Sequence, residues 1–331
     1  MKRVCIVGYG AVGPIHASAV SKTENAEVYA VCDVECDKRK RCREHYDVVE
    51  YDDYDKMLLD KHIDYVHICT PHFLHFDMIT KALLAGKQVV CEKPVAISES
   101  EFSQLLKTEG AERVCVVFQN RFNACVQALK KLIDEESLGK VRTVKGNVTW
   151  CRTMDYYNQE TWRGKKDTAA GGVLINQAVH TLDLFSYLVG QVQSVQAHKC
   201  NFSLPELDVE DTVIAQLCFE SGVRGIFFAT NAYGSNSAPE FEVVFDKGTV
   251  QYHDAKLYLN GNIIEEDLKA TQGKSYWGSG HEILLKNLYD TNCSFTPYDA
   301  ENTMYTMFAI YQSTECDGKE IVVKTNKRVH N

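Results

Sequence analysis

The chain has 331 residues, 45% of them hydrophobic and 24% charged, with a formal net charge of -9. That length exceeds one ordinary core and predicts two domains, while the acidic balance argues against a nucleic-acid or anionic-membrane partner, since both need a basic face. No apolar run approaches the length that spans a bilayer.

After Met1-Lys2-Arg3 the first apolar run meets Gly8, so no signal peptide is expected. The thirteen cysteines are odd in number. Cys5, Cys32, Cys69, Cys91 and Cys115 lie in apolar β-like runs, no C-x-x-C pair exists, and Cys32, Cys36 and Cys42 fit no zinc spacing. Reduced thiols, a cytoplasmic location and no metal site are the expectation.

Strand patterns at Arg3–Val7, Glu27–Cys32, Asp64–Cys69, Gln88–Cys91 and Val114–Phe118, with a weaker one at Val48–Tyr51, alternate with helical patterns. The helical stretches are Val12–Lys22, Asp37–Tyr46, Tyr54–Asp60, Phe73–Ala85 and Glu99–Thr108. Continuous apolar strands between helices imply a doubly wound parallel sheet, an α/β fold. Ser98 followed by Glu101 is a capping box. Cationic Lys38-Arg39-Lys40-Arg41-Cys42-Arg43 reads as a solvated helix face.

Gly8-Tyr9-Gly10-Ala11-Val12-Gly13 lies between the first strand and the first helix. In a dinucleotide site the first glycine makes the turn, the second admits the pyrophosphate, and the third lets helix and strand pack. The helix N-terminus then faces the phosphates. Asp33, twenty positions past Gly13 at the end of the second strand, is placed to accept from ribose hydroxyls and to repel a 2′-phosphate, favouring NAD over NADP. Thr70-Pro71-His72-Phe73-Leu74-His75 and Cys91-Glu92-Lys93-Pro94 follow strands at the carboxyl edge, where open α/β sheets bind ligands, so Lys93 is presented there.

These motifs together resemble the glucose–fructose oxidoreductase / inositol dehydrogenase / MocA (Gfo/Idh/MocA) family. The resemblance implies an N-terminal Rossmann domain and a C-terminal α+β domain with a large, mainly antiparallel sheet, through which members commonly form homo-oligomers. It places Lys93 against both substrate hydroxyl and cofactor, and implies a cis Lys93–Pro94 peptide. It extends the cofactor contacts from the glycine motif and Asp33 to Thr70, Pro71, His75, Glu92, Lys93, Asn120 and Arg163. The expected domains are residues 1–120 for NAD and 121–331 for substrate and oligomerisation.

The second half opens with a helical pattern at Ala124–Glu136 and a strand at Lys140–Cys151, then a long loop from Thr153 to Ala170 in which Tyr156, Tyr157, Trp162 and Arg163 are candidates to line a sugar-sized cleft. The segment Gly171–Tyr187 is helical and nearly all apolar, yet Asn176, His180, Asp183 and Tyr187 recur on one face. Such a stripe needs partners, because an unpaired buried polar group costs about 1–3 kcal/mol. A polyhydroxylated ligand and an internal core network are both able to supply them. The stripe is similar to the family's Gly-Gly-x-Leu-x-Asp-x-x-x-His-x-x-Asp, which puts the catalytic histidine at His180. It departs at Asn176, where polyol-oxidising members carry aspartate, a difference that resembles the branch acting on sugar derivatives, including nucleotide sugars.

Strand patterns follow at Val192–Ser203, Asp211–Glu220, Val223–Tyr233, Phe241–Phe245, Thr249–Tyr252, Leu257–Leu259 and Ile263–Ile264, with hairpin turns at Ser221-Gly222, Asp246-Lys247-Gly248 and Asn260-Gly261-Asn262. Gly280-His281 opens a helix at Glu282–Tyr289, and the resemblance turns His281 toward substrate. A helix near Asp299–Thr314 and a strand at Glu320–Val323 close the chain.

The reading that follows is an NAD-dependent oxidoreductase taking hydride from a ring hydroxyl carbon of a sugar, cyclitol or sugar derivative. Lys93 and His180 are catalytic, sharing the roles of base and orienter, with Asn176, Asp183, Tyr156, Trp162 and His281 at the substrate. Two alternatives keep the same fold: an NAD-dependent glycosidase working by transient oxidation, and a non-catalytic NAD-binding regulator.

Overall fold

A computed structural model of the protein describes residues 1–269, 278–292 and 294–325. The first of its two units begins with β1 (Lys2–Val7), α1 (Gly13–Ser21), β2 (Ala26–Cys32), α2 (Cys36–Arg43), β3 (Val49–Tyr51) and α3 (Tyr54–Leu58). It continues with β4 (Tyr65–Ile68), α4 (His75–Leu84), β5 (Gln88–Glu92), α5 (Glu99–Leu105) and β6 (Val114–Val117). The strands form one sheet in the order β3-β2-β1-β4-β5-β6, every pair parallel. Val4, Ile6, Val66, Ile68, Val89 and Val90 are wholly buried, which is why these strands lack the apolar–polar alternation of a one-sided sheet. The order reverses between β1 and β4, and a ligand crevice belongs at that point.

Helix ends follow local chemistry. Ser98 Oγ accepts from the Glu101 N–H (3.2 Å), and Glu101 Oε2 accepts from the Ile97 N–H (2.9 Å). The capping box therefore forms, with its return bond one residue earlier than the simple motif.

The second unit contains α6 (Ala124–Asp134), β7 (Val141–Thr149), α7 (Met154–Asn158), α8 (Lys166–Ala169), α9 (Val179–Val189), β8 (Val192–Cys200), β9 (Thr212–Phe219) and β10 (Arg224–Thr230). After these come β11 (Glu240–Phe245), β12 (Gly248–His253), β13 (Lys256–Leu259) and β14 (Asn262–Glu266). The segment expected as a long loop thus carries two short helices, α7 and α8. The sheet runs β14-β13-β12-β11-β7-β10-β9-β8-β15, where β15 is Ile321–Val322, and only β7 and β10 pair in parallel. Asn260 and Gly261 take φ of 50° and 84° in the β13–β14 hairpin, the left-handed pair that matches strand twist. Asp254 and Ala255 do the same between β12 and β13 (φ 51° and 59°), a turn the sequence does not advertise.

Phe185 anchors α9 on this sheet. Its ring lies against Phe241 (4.9 Å between centroids) and Phe227 (6.1 Å). A Cβ on Gly146 of β7 would come within 2.7 Å of that ring, so the strand offers a glycine floor for it. Burying such a side chain contributes about 1.5–3 kcal/mol and fixes the helix in register.

The chain then returns to the first unit as α10 (Gly280–Thr291) before closing the second with α11 (Glu301–Glu315). A single division at 120/121 does not describe this connectivity. Leu284, Leu285, Leu288 and Tyr289 of α10 join Val4, Ile6 and Val20 in one core cluster. Lys22 Nζ pairs with Glu282 (2.7 Å), and Asn25 donates to Asp290 (2.9 Å). An apolar stripe facing α1 therefore decides which core takes the helix. The twelve described cysteines are all free.

Candidate active site

The β1–α1 turn is built around two close approaches. Gly8 sits at φ +85° with its Cβ position 2.8 Å from the Cys69 carbonyl oxygen, and a Cβ on Gly13 would lie 2.3 Å from the Gly8 carbonyl oxygen. At Gly10, by contrast, an added Cβ meets nothing within 4 Å, so the backbone is open there. No side chain caps α1 and its first turn holds no acid, leaving its N–H groups and positive dipole end to an anion. The expected cradle for a dinucleotide pyrophosphate is thus present.

Asp33 is buried at the end of β2. Its Oδ2 accepts from the Tyr9 N–H (2.8 Å) and its Oδ1 from the Glu35 N–H (2.9 Å), tying the glycine turn to the strand end. The cationic run is only partly a solvated face. Arg41 donates to the Tyr9 carbonyl (2.8 Å), and Arg39 donates to the Asp33 carbonyl (2.6 Å) while pairing with Glu50 (3.4 Å).

At the rim formed after β4 and β5, His75 is fully buried between two carbonyls, those of Thr70 (2.8 Å) and Pro94 (2.7 Å). Burial lowers its pKa, so the neutral ring donates to one of the two at a time. His75 therefore joins the Thr70-Pro71 turn to the Lys93–Pro94 turn, and its ring nitrogens are occupied by backbone, which corrects the expectation of a direct cofactor contact. The Lys93–Pro94 peptide is cis. Lys93 itself is half-buried, and burial holds its ammonium below the ordinary lysine range against the opposing pull of the Glu92 carboxylate.

Glu92 is also turned inward. Its Oε1 lies 3.1 Å from His16 Nε2 and 3.4 Å from His281 Nε2, and its Oε2 accepts from the Lys93 N–H (3.3 Å). Burial pushes its pKa up, but bonds from His16 and His281 overcome this and hold it well below the usual carboxylate range. Being ionised it only accepts, so both Nε2 atoms carry hydrogen.

Burial pushes the His16 pKa down, yet the Cys69 thiol and Glu92 beside it raise it to about 9. Its Nδ1 donates to His67 Nδ1 (3.0 Å). Burial, with the His16 charge, holds His67 neutral, which leaves its Nε2–H for the Tyr289 hydroxyl (2.5 Å). Glu92 and His281, expected at the cofactor and at the substrate, thus spend the Glu92 carboxylate and His281 Nε2 on protein partners.

In the second unit the helix carrying His180 starts from a buried carboxylate that the sequence reading missed. Glu210 accepts from the N–H groups of Gly172 (2.9 Å) and Leu174 (3.1 Å) and from the Tyr311 hydroxyl (3.0 Å). Burial nevertheless raises its pKa, outweighing those bonds. A Cβ on Gly172 would lie 1.7 Å from the Glu210 carbonyl oxygen, so Gly172 is where the segment leading into β9 meets the helix start. Leu174–Ala178 then forms a π-helical turn ahead of α9. Such turns concentrate at functional sites, and this one holds Asn176.

The extra residue breaks the simple stripe of four. Asn176 and His180 are half-buried, whereas Asp183 is wholly buried and accepts from Thr303 Oγ1 (2.8 Å), a core role in place of the expected substrate contact. The Tyr187 hydroxyl accepts from Gln127 (2.8 Å). Gln177 Nε2 donates to the Tyr156 hydroxyl (3.0 Å), and Arg163 stacks on Tyr156 (4.5 Å) and Trp162 (5.7 Å). Tyr156, Trp162 and Arg163 thus cluster within the second unit, while the glycine turn, Asp33, Thr70, His75 and Lys93 cluster within the first.

Comparison with known proteins agrees. An oxidoreductase family model described as an NAD-binding Rossmann fold matches residues 2–120, and the GFO/IDH/MocA C-terminal domain matches residues 126–251. The chain is 28% identical over 285 residues to D-glucoside 3-dehydrogenase of Escherichia coli, covering 78% of this chain and 79% of that one. It is also 28% identical over 227 residues to levoglucosan dehydrogenase of Pseudarthrobacter phenanthrenivorans, covering 61% of this chain and 58% of the relative. The match thus spans under two thirds of that relative's length. The crystal structure of the WlbA dehydrogenase of Bordetella pertussis, in complex with NADH and UDP-GlcNAcA, superposes with a TM-score of 0.85 at 28% identity, covering 98% of this chain and all of that one. With both halves matched and the glycine cradle, Asp33 and the Lys93–Pro94 turn in place, the chain belongs to the Gfo/Idh/MocA family.

Proposed function

We propose that the protein is an NAD-dependent dehydrogenase that oxidises a ring hydroxyl of a sugar, cyclitol or sugar derivative. The observation that carries this reading is the pairing of an open phosphate cradle at Gly10 with a desolvated lysine, Lys93, at the same edge of the sheet. When bound, NAD supplies the acceptor for the hydrogen leaving the hydroxyl carbon. Asp33 takes the adenosine ribose hydroxyls and disfavours a 2′-phosphate, hence NAD before NADP.

Lys93 orients the reacting hydroxyl and stabilises negative charge developing on its oxygen. His180 accepts the hydroxyl proton, a task imidazole suits near neutral pH. Asn176, unable to act as a base, hydrogen-bonds a neighbouring hydroxyl, while Tyr156 and Trp162 offer aromatic faces to the ring. The names of the relatives, a D-glucoside 3-dehydrogenase and a levoglucosan dehydrogenase, and the UDP-GlcNAcA bound in the WlbA structure support a cyclic polyol class.

Homo-oligomerisation and a cytoplasmic location complete the proposal. Ile226 is 53% exposed and Ile214 48% exposed on adjacent strands. Ile214 pairs with Phe228 and Ile226 with Gln216, so all four share one sheet face, a candidate contact between copies that light scattering would test.

The deciding experiment is a panel of sugars, cyclitols and nucleotide sugars assayed for NADH absorbance. Lys93→Met on the best substrate should lower single-turnover NADH formation at least about a hundredfold; an undiminished rate would sink the scheme. Glycosidic cleavage without net NADH would instead identify the transient-oxidation glycosidase.

A further inference from the structure

We propose that Glu92 is a positioning residue: clamped by His16 and His281, it sets the aim of Lys93 and ties that aim to the helix on which the dinucleotide phosphates rest. This inference rests on the catalytic reading of Lys93 given above.

Lysine is a flexible residue. Its side chain carries about 2 kcal/mol of rotamer entropy, so a lysine that must meet one hydroxyl needs its backbone fixed first. On the carboxyl side, His75 holds the Pro94 carbonyl (2.7 Å). On the amino side, Glu92 folds back so that its Oε2 accepts from the Lys93 N–H (3.3 Å). What keeps Glu92 there is its other oxygen, which takes His16 Nε2 (3.1 Å) and His281 Nε2 (3.4 Å).

The three residues come from three elements. His16 lies on α1, within one turn of Gly13; Glu92 ends β5; His281 begins α10. All are buried, with the His16 side chain at 0% exposure and those of His281 and Glu92 at 7% and 10%. Two imidazole rings meeting one carboxylate oxygen, with centroids 5.8 Å apart, leave that oxygen little freedom.

Behind His16, His67 and Tyr289 extend the chain of bonds, so His16 is itself held on both nitrogens. The groups facing His16 are Cys69 and His67 from the β4 side, Glu92 from β5, and His281 from α10. Such a network, set in an otherwise apolar core, is costly to leave incomplete: an unpaired buried partner destabilises its surroundings. It also makes the phosphate-binding helix, the lysine strand and α10 move as one body.

The test separates this role from simple folding. His281→Leu removes one arm of the clamp; His281→Gln keeps an amide N–H near the position of Nε2; Glu92→Gln keeps the size but not the charge. A misplacement approaching 1 Å at a reacting group costs up to about a hundredfold in rate, so His281→Leu and Glu92→Gln are expected to lose about tenfold or more in kcat. The Kd for NAD, read by protein fluorescence without substrate, should stay within about threefold, and His281→Gln should recover most of kcat.

As a readout independent of turnover, the rate at which Lys93 of the cofactor-free protein is acylated, measured peptide by peptide, should change in His281→Leu while other lysines stay constant. Wild-type kcat in both His281→Leu and Glu92→Gln, beside an inactive Lys93→Met, would overturn the clamp and leave the catalytic reading intact. Full activity in Lys93→Met would overturn both. One equivalent of a divalent metal in the purified wild type, lost in His281→Leu, would also overturn it, since the same three atoms would then be metal ligands.

Discussion

Glu210→Gln provides the sharpest test of how the His180 helix is held. In the native chain one carboxylate oxygen accepts from the Gly172 N–H, and the other from the Leu174 N–H and the Tyr311 hydroxyl. A glutamine in the same place keeps one acceptor oxygen, which can serve Leu174 and Tyr311. Its NH2 group then faces the Gly172 N–H, donor against donor. Leaving one buried donor without an acceptor costs about 1–3 kcal/mol, and losing charge assistance on the other two bonds adds about 1 kcal/mol.

The expected loss is therefore about 2–4 kcal/mol, confined to the second unit. At roughly 2–4 °C per kcal/mol for a domain of that size, its unfolding transition should fall by about 4–16 °C in differential scanning calorimetry. Relief from burying a charge works in the opposite direction, because Glu210 is desolvated. That offset is bounded by Tyr311→Phe, which leaves the carboxylate in place and removes one donor, at about 1 kcal/mol. A Glu210→Gln transition within 1 °C of wild type, with kcat unchanged, would refute the view that this carboxylate caps the helix.

Two further outcomes follow from the first unit. His16 is raised to about 9 from an ordinary histidine value near 6.5, so the folded state binds a proton that the unfolded chain releases between those values. Its contribution to stability is complete below pH 6.5 and should disappear as pH climbs through 9. Chemical denaturation should record a decline of up to about 3 kcal/mol across that window, flattened in His16→Leu; a profile identical in the two proteins would contradict the assignment. Asp33→Ser removes a carboxylate bound to the Tyr9 and Glu35 N–H groups and offered to ribose. It should weaken NAD binding about tenfold to a hundredfold while changing NADP far less, as followed by fluorescence titration. Equal losses for both cofactors would argue that Asp33 only shapes the turn.

Much of this was legible in the linear chain because it is local. The glycine turn, the acid twenty residues on, the capping box at Ser98 and the Asn260-Gly261 hairpin depend on residues near one another in sequence, and each forms. The parallel order of the first sheet follows from continuous apolar runs separated by helices, since such strands need cover on both faces.

Other features depend on contacts that no window contains. His16, left without a role by its neighbours, meets Glu92 seventy-six residues away, and His67 meets Tyr289 at a separation of 222. Glu210 stands thirty-eight residues from the Gly172 N–H it accepts from, and Asp183 reaches Thr303 across 120. Helix α10 belongs to the first core although the chain places it late, because its leucines match a groove beside α1.

The common reason is satisfaction of buried polar groups. A periodic pattern tells which residues leave water, but a histidine or carboxylate inside a core takes whatever partner the packed elements bring to it. By itself the sequence determined the cradle, the doubly wound parallel character of the first sheet and the position of Lys93 at its carboxyl edge. Only the tertiary structure decided that Glu92, Asp183 and His281 turn inward, because their partners are supplied by elements that meet on folding.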